Sequence, residues 1–143
     1  MTQINLEFPQ EVQSLLEKTI FELDAIDPDA LNKYLFYMPE VIRIVGLVVA
    51  QLKNEHRELS RRLQIREAEI LLETVNAIDG QKYKNEQLRT AKVMTDESYQ
   101  GIRKEISETE YQIDKFSEEA WKWKNLNSNL DNISRLRVSE RKF

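Results

Sequence analysis

The apolar residues of this chain form two long stripes in which steps of three and four residues alternate. Such a heptad repeat keeps one narrow edge of a helix turned toward a partner helix, in the same chain or in another. The first stripe comprises Ile42, Val45, Val49, Leu52, His56, Leu59, Leu63, Arg66, Ile70, Glu73 and Ala77. The second comprises Tyr99, Ile102, Ile106, Thr109, Ile113, Phe116, Ala120, Trp123, Asn127, Leu130, Ser134 and Arg137.

Two short helices are predicted before the first stripe. Apolar residues recur at helical spacing after Pro9 and predict a helix near 10–25. The sequence Asp27-Pro28-Asp29 is a helix-start signal, and the helix that follows is expected to reach about Tyr37. Pro39 either interrupts this helix or opens the next one.

The long helices have their own boundary signals. The first runs from Glu40 to about Asn76, and Asp79-Gly80 ends it. Thr95 is expected to cap the second, which runs from about 96 to 134 or beyond. Residues 79–94 lack a sustained apolar repeat and form a connector that is in part helical.

The elements together predict an all-α fold. Two long helices of similar length, joined by a connector, are typical of a coiled-coil-like antiparallel hairpin. Residues 1–38 form an acidic N-terminal helical segment, and residues 39–143 form the hairpin, with a basic linker near 79–95. Few apolar residues are available for the core of a lone monomer, so we expect sister subunits to cover the stripes in a homo-oligomer.

Composition narrows the compartment and the class. The 143 residues include 32% charged residues, three Gly, three Pro and no Cys, which suits long exposed helices in a reducing interior. The N-terminus lacks the basic and apolar regions of a signal peptide. The longest apolar run, Ile44 to Ala50, is shorter than the roughly 20 residues needed to cross a bilayer. We therefore expect a cytoplasmic protein without a membrane partner.

Catalytic chemistry has little support in this sequence. His56 is the only histidine, and without a second His or a Cys it predicts a structural role rather than a catalytic or metal site. Glu67, Glu69 and Glu73 are more simply a solvated helix face than an acid–base pair. Three glycines are too few for a phosphate-binding loop. We expect no enzyme activity, no cofactor and no metal.

The linker is the segment that most favours a function. Its basic residues, Lys82, Lys84, Arg89 and Lys92, lie close to Tyr83. Lys and Arg neutralise phosphates, and a tyrosine ring stacks on bases, so these residues form a candidate nucleic-acid site. One copy would bind weakly and in a salt-sensitive way, whereas an oligomer would array several copies. The alternative is an ordinary solvated loop.

Other basic and aromatic residues have two interpretations each. Arg57, Arg61, Arg62 and Arg66 form either ion pairs within the bundle or a second basic surface, and Glu105 or Glu108 could pair with Arg66. The C-terminal basic residues, Arg135, Arg137, Arg141 and Lys142, form a basic tail for an anionic partner or a frayed end. Trp121 and Trp123 lie on different faces of one helix, which predicts a subunit interface.

The linker and the second long helix resemble the phage recombination mediators of the UvsY type. In that family a Lys/Arg-rich stretch precedes a Val-x-x-Asp-x-x-Tyr element, which here is Val93, Asp96 and Tyr99. A helix with an acidic-aromatic pattern follows, here with Glu110-Tyr111 and Phe116. The similarity covers roughly residues 40–135, and residues 1–38 lie outside it.

The resemblance implies a non-enzymatic accessory factor. Proteins of this kind form rings, bind single-stranded DNA and help a RecA-like recombinase displace single-strand-binding protein. The basic linker residues of the family would correspond to Lys82, Lys84, Arg89 and Lys92. The alternative is a coiled-coil structural or assembly protein with no nucleic-acid role.

Overall fold

The computed structural model describes residues 6–76 and 86–141. Helices account for 92% of these residues, and none of them lies in a strand, so the predicted all-α class is confirmed. In chain order the elements are α1 (Gln10–Gln13), a 3-10 helix (Ser14–Glu17), α2 (Ile20–Asp24), α3 (Pro28–Asn76), α4 (Glu86–Thr95) and α5 (Glu97–Arg141).

The first predicted helix is wrong as a single element, because the chain breaks near its middle. Lys18 is extended, with φ −78° and ψ 141°. Thr19 then starts α2 by accepting a hydrogen bond from the backbone N–H of Glu22, whose carboxylate accepts one from the Thr19 N–H in return. This capping box satisfies two helix-end donors and fixes the new start, and the pattern of apolar spacing does not reveal it.

The predicted break at Pro39 is also wrong, because α3 continues through this residue from Pro28 to Asn76. Proline removes one hydrogen bond from a helix interior, and its ring crowds the preceding turn. Pro39 lies on the solvent-exposed side, where water can satisfy the released carbonyl. Its neighbours Met38 and Val41 are buried and hold both sides of the turn in the core.

The second long helix begins as the sequence indicates, but another residue caps it. Thr95 belongs to the end of α4, and its hydroxyl donates to the Lys92 carbonyl. Asp96 stands between the helices, and its carboxylate accepts the backbone N–H of Tyr99 at 2.8 Å. Residues 86–94 of the predicted connector are helical, in agreement with the expectation that it is in part helical, whereas the predicted stop at Asp79-Gly80 lies outside the described residues.

Tertiary contacts divide the chain into two compact units. We call residues 51–113 the linker unit, and the described residues before 51 and after 113 the terminal unit. This division differs from the predicted boundary at residue 38, since the N-terminal helices share a core with the start of α3 and the end of α5. That core is formed by Val12, Leu15, Leu23, Leu31, Met38, Val41, Val45, Trp123, Leu126, Leu130 and Ile133.

The linker unit has a smaller core and more polar contacts. Ile70 on α3, Val93 on α4 and Tyr99 on α5 are buried together, with Leu63 and Leu71 packed against them. Elsewhere in the unit, the buried side chains are those of Leu52, Leu59, Thr74, Ile102 and Thr109.

The two heptad stripes face inward within this single chain. Every residue of the second stripe is buried or half-buried, and so is every residue of the first from Ile42 to Ile70. Glu73 is exposed, and the neighbouring Thr74 takes the buried position, while Ala77 lies outside the described residues. Covering the stripes therefore needs no sister subunit, contrary to the expectation from composition.

The outer side of α3 is also apolar. An 18-residue stretch of α3 has a mean hydropathy of 1.6. By length and composition alone, this helix is long and apolar enough to cross a membrane. Only 28% of that stretch is buried. The longest uninterrupted apolar run does not reveal this stretch, because the charged residues Glu40 and Arg43 break it up.

Candidate nucleic-acid interface

The structure describes two of the five predicted nucleic-acid-binding residues. Arg89 and Lys92 lie three residues apart on α4, and so share one side of that helix. Arg89 is half-buried and Lys92 is exposed. Lys82, Tyr83 and Lys84 lie outside the described residues.

A groove of about 400 Å³ runs between α4 and the last turns of α3. Arg89 lines it beside the carboxylates of Glu67 and Glu86. The remaining lining side chains are those of Leu71, Thr90, Val93 and Met94. The groove is therefore mixed in charge, and the excess of basic charge in the segment comes from Lys92 and from the residues before α4.

An ion pair fixes the joint between α4 and α5. The Arg66 guanidinium donates to Asp96 through Nε at 3.0 Å and through Nη2 at 2.9 Å. Both side chains are largely shielded from solvent. Arg66 also donates to Glu69 at 3.1 Å and lies 3.8 Å from Glu73. A two-point Arg–carboxylate bond fixes direction as well as distance, so it orients α4 against α3.

The protonation of Asp96 reflects this arrangement. The hydrogen bonds from Arg66, followed by the one from the Tyr99 backbone, lower the pKa of Asp96 from 3.8 to about 2. The positive charges of Arg66 and Lys92 act in the same direction, while desolvation opposes them. The carboxylate is therefore ionised at neutral pH and holds its cap and its ion pair together.

The Val-x-x-Asp-x-x-Tyr element that carries the family resemblance forms this joint. Val93 and Tyr99 pack against Ile70, and Asp96 between them caps α5 and binds Arg66. Each residue of the element therefore has a role in the fold. Packing, helix capping and ion pairing therefore explain the residues of this element without any contact to DNA.

Sequence reasoning missed the partner of Arg66. Neither Glu105 nor Glu108 pairs with it; Asp96 does, because the joint brings the start of α5 beside α3. The predicted structural His56 lies 3.0 Å from Glu110 through Nε2. Arg61 pairs with Glu58 one turn earlier. These contacts favour the ion-pairing interpretation for Arg61 and Arg66.

The two tryptophans occupy different environments. Trp123 is 0% exposed, its ring meets that of Phe8 edge to face at 5.5 Å, and its Nε1 donates to Glu119 at 3.5 Å. Trp121 is 64% exposed. Trp123 belongs to the core of its own unit and offers no surface to a partner, so only Trp121 is placed where the predicted subunit interface requires it.

The basic C-terminal segment is partly anchored. Arg137 donates through Nη2 to the carbonyl of Asp24, the last residue of α2, at 2.7 Å and to that of Ile26 at 2.5 Å. Arg135 pairs with Asp131 at 3.1 Å. Arg137 therefore closes the end of a helix, so for this residue neither a mobile tail nor a frayed end is correct.

Within residues 6–76 and 86–141, no three His, Cys, Asp or Glu side chains are grouped so as to hold a metal ion. Comparison of the chain with protein-family models, with curated proteins and with solved structures gives no match.

Proposed function

We propose that this protein is a non-enzymatic, homo-oligomeric accessory factor that binds single-stranded DNA and helps to load a RecA-like recombinase in the presence of single-strand-binding protein. The observation that carries the proposal is a basic segment beside a fixed joint. Residues 82–92 contain four basic residues and one acidic residue. The Arg66–Asp96 pair fixes the direction in which the described part of that segment leaves α3 and α5.

The long helices would form an antiparallel hairpin with the basic segment at its turn. In the linker unit, His56 meets Glu110, whereas Arg66, ten residues later on α3, meets Asp96. Later residues of α3 thus lie beside earlier residues at the start of α5, which supports an antiparallel arrangement of the two helices. Under this proposal, such a turn would present the basic charges at one end of the unit.

The mechanism would depend on repetition. A few phosphate contacts give weak binding, whereas linked copies raise the effective concentration of the next contact. Several copies side by side would hold one strand extended for a recombinase. Because the contacts would be ionic, binding would fall steeply with salt. The proposal places this activity in the cytoplasm.

A structural or assembly protein without a nucleic-acid role is the second candidate. The groove beside α4 favours it, because two acidic residues, Glu67 and Glu86, line the groove together with Arg89. The family-like element also has a complete explanation in packing, through Val93, Asp96 and Tyr99.

Fluorescence anisotropy with a single-stranded oligonucleotide at two salt concentrations separates the two candidates. Under the proposal, the double variant Lys82→Ala with Lys84→Ala loses two phosphate contacts. The plot of log affinity against log salt should then become less steep by about 1.4, since each contact contributes about 0.7 to the slope. Lys53→Ala with Lys104→Ala is the matched control, since it removes the same charge from exposed positions outside the segment. No binding by the wild type, or equal loss in both double variants, would contradict the proposal.

A further inference from the structure

The outward side of α3 in the terminal unit carries a third stripe. Phe36, Glu40, Arg43 and Leu47 follow one another in steps of four, three and four, so they share one face of the helix. We call these four residues the outer stripe. Phe36 is 83% exposed and Leu47 is 50% exposed. The inward side of the same turns carries Met38, Val41 and Val45.

The outer stripe is apolar at both ends and charged in its middle. Glu40 and Arg43 are the only charged residues between Leu35 and Leu52, and within the chain they bind each other at 3.0 Å. Both remain more than half exposed. A lipid surface is a poor match for two charges at the centre of the face, because charged groups in a membrane interior are costly. A protein partner with charges in register fits better.

The order of residues in the outer stripe is complementary to itself when reversed. If a second copy lies antiparallel, with its centre between residues 41 and 42, Phe36 meets Leu47 of the other copy and Glu40 meets its Arg43. Each contact occurs twice, as a two-fold interface requires. Apolar ends thus meet apolar ends, and opposite charges meet opposite charges.

The flanks of the outer stripe agree with the same register. In an antiparallel helix pair, each flank meets the corresponding flank of its partner. One flank would bring Pro39 against Gly46 of the other copy. Both residues are small, so the two helices could approach each other closely there. The other flank would bring Tyr37 against Ile44. A Cβ added at Gly46 has no atom within 4 Å in this chain, so packing inside the chain does not explain a helix-interior glycine.

We infer that the outer stripe is a homotypic interface, in which a second copy of this chain packs antiparallel across Phe36, Glu40, Arg43 and Leu47. The inward heptad stripes are already covered, so this face supplies one contact of the proposed oligomer, the pairing of two copies. The inference rests on the proposed function only for its link to DNA. Its test measures association without DNA, and so can fail or succeed independently of binding.

Charge reversal in two separate variants provides the test. Glu40→Arg places like charges opposite each other in its own dimer, and Arg43→Glu does the same with negative charges. Each variant alone should associate about tenfold or more weakly than the wild type. An equimolar mixture should regain the wild-type mass, because the two basic side chains of one variant then face the two acidic side chains of the other. Light scattering and sedimentation velocity at micromolar concentration measure the mass.

Recovery on mixing can arise only between chains, since each variant keeps like charges within its own helix. Circular dichroism should show both variants folded, because the pair they lose is exposed. Gly46→Leu adds a steric test: there is room for the side chain in one chain, so thermal stability should hold or rise while association falls. A monomeric wild type, a mixture that stays dissociated, or a wild type that instead co-sediments with lipid vesicles would overturn the inference.

Discussion

The terminal unit and the linker unit are stabilised by different kinds of interaction. The terminal unit buries a large apolar core around Trp123, which packs edge to face on Phe8. The linker unit buries fewer apolar groups together and adds polar contacts between helices, the Arg66–Asp96 ion pair and the His56–Glu110 hydrogen bond. Apolar burial is insensitive to pH, whereas ion pairs respond to pH and salt. The two units should therefore fail under different conditions.

The largest expected effect is on the terminal unit. Trp123→Ala should lower the free energy of unfolding by about 3–5 kcal/mol, because it leaves a cavity where a fully buried ring packed. Trp121→Ala, at an exposed position two residues away, should change it by about 0.5 kcal/mol or less. Urea denaturation of both variants measures the difference. Equal losses would show that the two rings share one environment.

Asp96→Asn tests the linker unit and should give a smaller effect. An asparagine still caps a helix, so the change isolates the ion pair with Arg66. The Tm should fall by roughly 3–6 °C at pH 7. Glu69→Gln is the control, since that carboxylate also binds Arg66 but is exposed, and it should change the Tm much less.

The effect of Asp96→Asn should depend on pH in a defined direction. The folded-state pKa of Asp96 is about 2, below the value of 3.8 for a free side chain. Its carboxylate therefore stabilises the fold above pH 3.8, and that contribution is lost as the pH falls toward 2. The Tm difference from the wild type should stay constant near neutral pH and close below pH 3.8. A difference that persists at pH 2 would point to packing instead.

The smallest expected effect is at His56. Glu110→Gln removes the carboxylate that lies 3.0 Å from the imidazole, and this carboxylate is exposed. Exposed pairs contribute little, so the free energy of unfolding should change by less than about 1 kcal/mol. Urea denaturation of the variant and of the wild type measures this difference. A loss as large as that of Asp96→Asn would remove the distinction between the exposed His56–Glu110 contact and the shielded Arg66–Asp96 ion pair.

Periodicity predicted the long elements well, since heptad spacing depends only on which residues are apolar. The second stripe is buried or half-buried from Tyr99 to Arg137. Local breaks were harder to predict. The chain breaks at Lys18 because a capping box at Thr19 starts a new helix there. The helix continues through Pro39 because the neighbouring Met38 is buried in the core and holds that turn in place.

Of the candidate site, the sequence identified residue types rather than partners. It named Arg89 and Lys92 as basic residues of the linker, and the structure places both on α4. It did not pair Arg66 with Asp96, because the sequence does not show which residues meet when they are thirty positions apart. The heptad repeat did separate Trp123, which belongs to the second stripe, from Trp121, which does not. It did not identify Phe8 as the ring that packs on Trp123.

The order of apolar residues along the chain, by itself, determined that this protein is helical and that two long apolar stripes must be buried against other helices. A side-chain repeat dictates helix faces directly, because the geometry of the helix is local. Only the tertiary structure decided that the chain covers those stripes itself, that Asp96 joins α4 to α3, and that Phe36, Glu40, Arg43 and Leu47 remain exposed. Those outcomes depend on which distant segments meet, and that is a property of the whole packing.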